Sequence, residues 1–186
     1  MVAVTQPITL EEFLALPETK PASEYIDGKI FQKPMPKRKH SLLQSELCAA
    51  INAIAKPGKI AYAFPELRCS FGNRSLVPDI AVLSWEHIEC DQEGVPLDDV
   101  FIPPDWVIEI LSPEQRSNRV TANIVHCLKF GCKLGWLIDP EDQSILILVK
   151  DKFPELCQND DPLLVLETID LKWSANDVFR WLKMNG

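Results

Sequence analysis

Two acidic side chains stand where acids are costly. Asp79 follows Pro78 in the run LVPDIAV, and Glu109 interrupts the nearly continuous apolar run WVIEIL. Carboxylates are almost never fully buried without partners, and an unpaired one must protonate, pair with a cation or bind a metal. Brought together at one sheet edge, the two acids would supply the hard oxygen ligands that Mg²⁺ or Mn²⁺ prefers. The residues alone leave other outcomes open: a salt bridge to a buried arginine such as Arg68, or solvent at a strand end. A basic run, Lys33 and then Lys37-Arg38-Lys39-His40, reads either as a patch that contacts phosphates or as a solvated loop.

The elements that must position these groups follow from pattern. Thr9 with Glu12 reads as a capping box opening a short helix that Pro17 closes. Asp27-Gly28 lies between alternating apolar runs and predicts a hairpin. Residues 37–55 read as a long helix, with Leu43, Leu47 and Ile51 at helical spacing. One or two strands are expected over KIAYAFPELRCSF, and SLVPDIAVLSW reads as one largely apolar strand. Residues 86–104 are polar and proline-punctuated, a long loop. WVIEIL suits the centre of a sheet buried on both faces. Ser112-Pro113 should end that strand and open a helix running to about Phe130, with Gly131 as its cap. LGWLID and SILILVK predict two further strands, KFPELCQNDDPLLVLE weaker ones, and Ser174 with Asp177 caps a last amphipathic helix. The order predicts an α/β fold, a mixed sheet flanked by helices, in one domain over residues 1–186.

The chain has 186 residues, 46% hydrophobic and 25% charged, as expected of a globular protein rather than a disordered one. No apolar run approaches the roughly 20 residues that span a bilayer, so no membrane association is expected. The start MVAVTQPITLEEF has no basic region leading into a long apolar core, which predicts a cytoplasmic chain without a secretory leader. Six cysteines form no C-x-x-C pair and read as small buried hydrophobes. The net charge of −8 argues against nucleic-acid binding through bulk positive charge but leaves room for a local basic rim.

SEYIDGKIF, the helix around His40, SLVPDIAVLS, PPDWVIEILSPEQR and GWLIDP occur in an order and spacing that resemble the bacterial Uma-type family, part of the PD-(D/E)XK nuclease superfamily. The resemblance runs from about Leu10 to Leu182 and implies a restriction-endonuclease-like fold acting on DNA with Mg²⁺ or Mn²⁺. It implies that Asp79 and Glu109 are metal ligands, that the Ile110 carbonyl lies at the metal, and that Glu24 supports the same site. His40 and Gln44, one helical turn apart, match polar positions on the facing helix, with a structural role as an alternative. A homodimer would fit such a nuclease, and Trp173, Phe179 and Trp181 near the C-terminus suit either its interface or the core.

One departure matters. Two residues beyond Glu109, where the simplest superfamily pattern has lysine, this chain has Leu111. The family instead resembles a pattern in which the lysine comes from the next helix, and that position here is Asn123, with Arg119 where an aspartate is expected and Cys127 where a tyrosine is expected. Arg119 could stabilise negative charge from the same helix face, but it cannot be a base at neutral pH. His126 is a candidate base. Loss of a charged transition-state group costs on the order of 10²–10³ in rate. The sequence therefore carries two readings: a metal-dependent DNA endonuclease with an altered site, or a silent relative that binds nucleic acid or a protein on the same scaffold.

Overall fold

The computed structural model describes residues 8–113 and 115–184. Residues 1–7, which open the segment read above for a leader, and Glu114 of the SPEQR run lie outside them. Helix α1 (Leu10–Leu14) carries the predicted Thr9–Glu12 capping box. The hairpin β1 (Ser23–Ile26) and β2 (Lys29–Gln32) turns at Asp27-Gly28, both at positive φ. Helix α2 (Arg38–Ala55) buries Leu43, Leu47 and Ile51, as its spacing predicted. Strands β3 (Ala61–Pro65), β4 (Cys69–Phe71), β5 (Arg74–Leu76), β6 (Ile80–Ser84) and β7 (Trp106–Ile110) follow. Then come α3 (Ser117–Lys129), β8 (Leu134–Asp139), β9 (Ser144–Leu148), β10 (Glu155–Gln158) and α4 (Ala175–Arg180), the last with the Ser174–Asp177 capping box.

These elements form two sheets rather than one. The smaller is antiparallel, in the order β2-β1-β5-β4, and the larger is mixed, β10-β9-β8-β7-β6-β3, with β7 and β8 its parallel pair. The run SLVPDIAVLSW is thus not one strand. It breaks at Val77-Pro78-Asp79, where Pro78 has no N–H to give a ladder, and its halves β5 and β6 enter different sheets. Helix α3 also starts later than expected. Gln115 N–H closes a turn onto the Ser112 carbonyl and Gln115 Oε1 accepts from Ser112 N–H, so helical geometry begins only at Ser117.

Strand alternation divides the core. Trp106, Ile108 and Ile110 of β7 point to the face covered by α2 and α4, whereas Val107 packs with Val120, Ile124 and Cys127 of α3 on the other. Glu109 shares the parity of Val107. Gly135 of β8 lets α3 lie close, because a Cβ there would collide with Ile124 Cγ2. Phe179 is buried in the first cluster and Trp173 and Trp181 pack against it at partial exposure, so these aromatics serve the core. Five of the six cysteines are buried and all are free; Cys90 is exposed, contrary to the expectation that all are buried. No helix among the described residues is long and apolar enough to cross a membrane.

Candidate active site

Strands β6 and β7 bring the two acids to one edge. Their antiparallel ladder ends at the Ile80–Ile108 pair, which leaves Asp79 and Glu109 as the next residues of the two segments at that end. Both are buried, at 1% and 3% exposure. Asp79 is held on every side: Ile110 N–H donates to Oδ2 at 2.7 Å, His40 Nε2 lies 3.0 Å from the same oxygen, and Lys33 Nζ donates to Oδ1 at 2.6 Å. His40 and Gln44 act as a pair one helical turn apart, since Gln44 Nε2 donates to the Asp79 carbonyl at 2.7 Å. The contact shown for Ile110 is made by its N–H.

Glu24 enters from the small sheet. Its Oε1 accepts Val77 N–H at 3.0 Å, and its Oε2 accepts from Asn123 Nδ2 at 3.3 Å. Lys33 Nζ also donates to the Val77 carbonyl at 2.7 Å and stands 3.8 Å from Glu109 Oε2. Neither acid pairs with Arg68, which instead grips Glu18, Ser75 and the Ser23 carbonyl. A cleft of about 340 Å³ opens on this cluster, with Glu24, Lys33, Glu109, Arg116, Arg119 and Asn123 on its walls.

Electrostatics separate the three carboxyls. Burial pushes Glu109 well above its ordinary range, and the Lys33 charge does not offset this. Burial raises Glu24 as well, against the pull of Lys33 and of the Val77 and Asn123 donors. Burial also pushes up on Asp79, but Lys33 and His40 outweigh it and hold that carboxyl well below the usual range. Lys33 is held above its ordinary value: burial opposes its charge, and Glu109, Asp79 and Glu24 together prevail. Around Lys33 three carboxyls, those of Glu109, Asp79 and Glu24, thus share one ammonium, and a further cation beside them would favour ionised Glu109. Among the described residues no three His, Cys, Asp or Glu side chains are gathered as a ready-made metal cage. The carboxylate oxygens of Asp79 and Glu109 are donors of the hard type.

The model of a family described as "putative restriction endonuclease", Uma2, matches residues 10–178. The chain belongs to the Uma2 family. A crystal structure of a "putative nuclease belonging to DUF820" from Anabaena variabilis ATCC 29413 has 50% sequence identity to this Uma2 chain and a TM-score of 0.93, covering 95% of this chain and 100% of that one. No curated protein matches. The Uma2 fold here is restriction-endonuclease-like, a mixed α/β arrangement of two sheets flanked by helices.

Of the residues singled out from sequence, Glu109, Glu24 and Asn123 line this Uma2 cleft, while Asp79 is joined to it through Lys33 and lines a neighbouring hollow with His40, Gln44 bonding its carbonyl. Arg119 lines the same cleft, its guanidinium 4.1 Å from the centre of the Phe31 ring. His126 does not join them. It stacks on Phe71 and its Nε2 meets the Phe71 carbonyl at 3.3 Å, while burial lowers its pKa. Lys33 is the residue that the sequence reading left in an undifferentiated basic run. Strand parity could have found it: Glu24 pairs with Phe31, and Lys33 N–H bonds the Ala22 carbonyl, so Lys33 falls on the hairpin face that carries Glu24 and Phe31.

Proposed function

We propose that this Uma2 chain is a metal-dependent endonuclease that hydrolyses phosphodiesters in DNA. The single observation that carries the reading is that Lys33 brings together two buried acids, Asp79 at 2.6 Å and Glu109 at 3.8 Å, beside a cleft rimmed by Arg116 and Arg119. Asp79 and Glu109, with the Ile110 carbonyl, would hold Mg²⁺ or Mn²⁺, and Glu24 would support them. When bound, such an ion lowers the pKa of a coordinated water and neutralises charge on a phosphate.

The chain's own residues do the rest. His40 and the Ile110 N–H fix the Asp79 carboxylate in one orientation, so it need not reorganise during reaction. Asn123 fixes Glu24 in the same way. Arg116 and Arg119 hold the substrate backbone through phosphate oxygens, which sets register without reading sequence. In the reaction the water oxygen bonds to phosphorus and one P–O ester bond breaks. The departing alcohol carries a proton equivalent to the one that the water releases.

A second reading is a silent relative that binds nucleic acid or a protein partner. Asn123 favours it, because a neutral amide stands on α3 where the family pattern has lysine. Supercoiled-plasmid cleavage with Mg²⁺ or Mn²⁺ separates the two. Wild type should nick and Asp79→Ala should not; equal products from both would sink the enzymatic reading.

A further inference from the structure

We infer that Lys33, delivered by the β1–β2 hairpin, is the catalytic amine of this cleft and takes the part of the helix position that Asn123 occupies. This rests on the nuclease reading above and assigns a residue to it. The two positions face the same space: Lys33 and Asn123 both line the cleft, along with Glu24 and Glu109. They reach it from opposite walls. The hairpin wall presents Phe31 and Lys33, the α3 wall presents Arg119 and Asn123, and the Arg119–Phe31 stack holds the walls in contact.

The geometry of the ammonium fits a ligand-facing group better than a plain counter-ion. Lys33 has three N–H donors. One is spent on Asp79 Oδ1 at 2.6 Å and one on the Val77 carbonyl at 2.7 Å. Glu109 Oε2, at 3.8 Å, is beyond hydrogen-bonding distance, which leaves a third donor for an oxygen entering the cleft. A counter-ion placed only to neutralise the pair would bond both acids. Here the side chain is anchored by Asp79 and by backbone at 13% exposure, so its position is set before substrate arrives. A fixed ammonium at that point would stabilise the charge that builds on a phosphoryl oxygen during attack. The amine comes from the residue that follows β2 rather than from a helix, but it stands beside the same two acids.

The test moves the amine from one wall to the other. Plasmid cleavage is measured for wild type, Lys33→Met and the double variant Lys33→Met/Asn123→Lys, with thermal melting of each in EDTA as a metal-free readout. Methionine keeps the length and apolar stem while removing the charge. Lys33→Met should lose about 10²–10³ in cleavage rate, and the double variant should regain at least about tenfold. Wild-type rates in Lys33→Met would overturn the assignment. So would a double variant that regains melting temperature without regaining cleavage, since Lys33 would then serve only to neutralise the carboxyls. A wild type that cleaves nothing would remove the nuclease reading itself, and the assignment with it.

Discussion

Lys33 Nζ donates to Asp79 Oδ1 across 2.6 Å, although 46 residues separate the two in sequence. The lysine directly follows one hairpin and the aspartate directly precedes a strand of the other sheet. Their contact therefore exists only when the two sheets are docked. It also organises the charges of the cleft, because the same ammonium opposes Asp79, Glu24 and Glu109. Glu109 remains the least compensated of the three, and its behaviour gives the first prediction.

Glu109→Gln should abolish cleavage and yet stabilise the protein at neutral pH. Burial raises the folded-state pKa of Glu109 above its unfolded value, so the folded state binds more protons in the interval between them. Stability of the wild type must then fall as pH rises through that interval. Below the unfolded glutamate value, near 4.3, acid and amide are both neutral and the difference vanishes. Melting curves should place Glu109→Gln above wild type at pH 7, by about 2–4 °C per kcal/mol recovered. The gap should close toward pH 4. A variant less stable than wild type at pH 7 would contradict the assigned direction.

Arg119→Ala should weaken DNA binding more than it slows chemistry. Its guanidinium stacks on Phe31 at the cleft wall rather than on either acid. A phosphate contact of this kind contributes to affinity for every sequence alike and carries a salt dependence. KM should rise with kcat nearly unchanged, and the slope of log affinity against log salt should shrink by about one. An unchanged salt slope would remove Arg119 from the backbone contacts.

Gly135→Ala should destabilise by about 1–3 kcal/mol, the usual cost of overpacking a close contact. The added methyl would meet Ile124, which neighbours Asn123 on α3. Relief requires the helix to move outward, so Asn123 should lose its bond to Glu24 along with the packing. Chemical denaturation should show the loss. A wild-type midpoint would mean that β8 and α3 have slack that their contact does not reveal.

Much of this site could be read from residue order, and the reason differs from residue to residue. Asp79 and Glu109 were legible because an acid inside an apolar strand needs a partner. Asp105 obeys the same rule at the other end of β7, where Ser84 N–H, His87 and Lys133 satisfy it away from the cleft. Asn123 and Arg119 were legible only through the resemblance, which sets them at the family's lysine and aspartate positions, one helical turn apart. His126 shares much of that face, but the small sheet puts Phe71 against it, a contact between distant segments that periodicity does not express. The two-sheet architecture was hidden for the same reason. SLVPDIAVLSW has the composition of one strand, and only its pairing partners show that the chain changes sheets at Pro78. Lys33 was obscured by its neighbours, since a run of basic residues looks uniform until hairpin parity sorts one from the rest.

The break at Val77-Pro78-Asp79 is one of the short segments by which the chain passes between the two sheets, and it also supplies the carbonyl and the carboxylate that anchor Lys33. The complete cluster thereby requires both sheets to be docked. A chain with only the large sheet assembled has Asp79 and Glu109 aligned but lacks the amine, and one with only the small sheet has Lys33 and Glu24 but neither Asp79 nor Glu109 to face them. Partly folded forms, including a nascent chain still short of β7, would lack the assembled cluster of Lys33, Asp79 and Glu109.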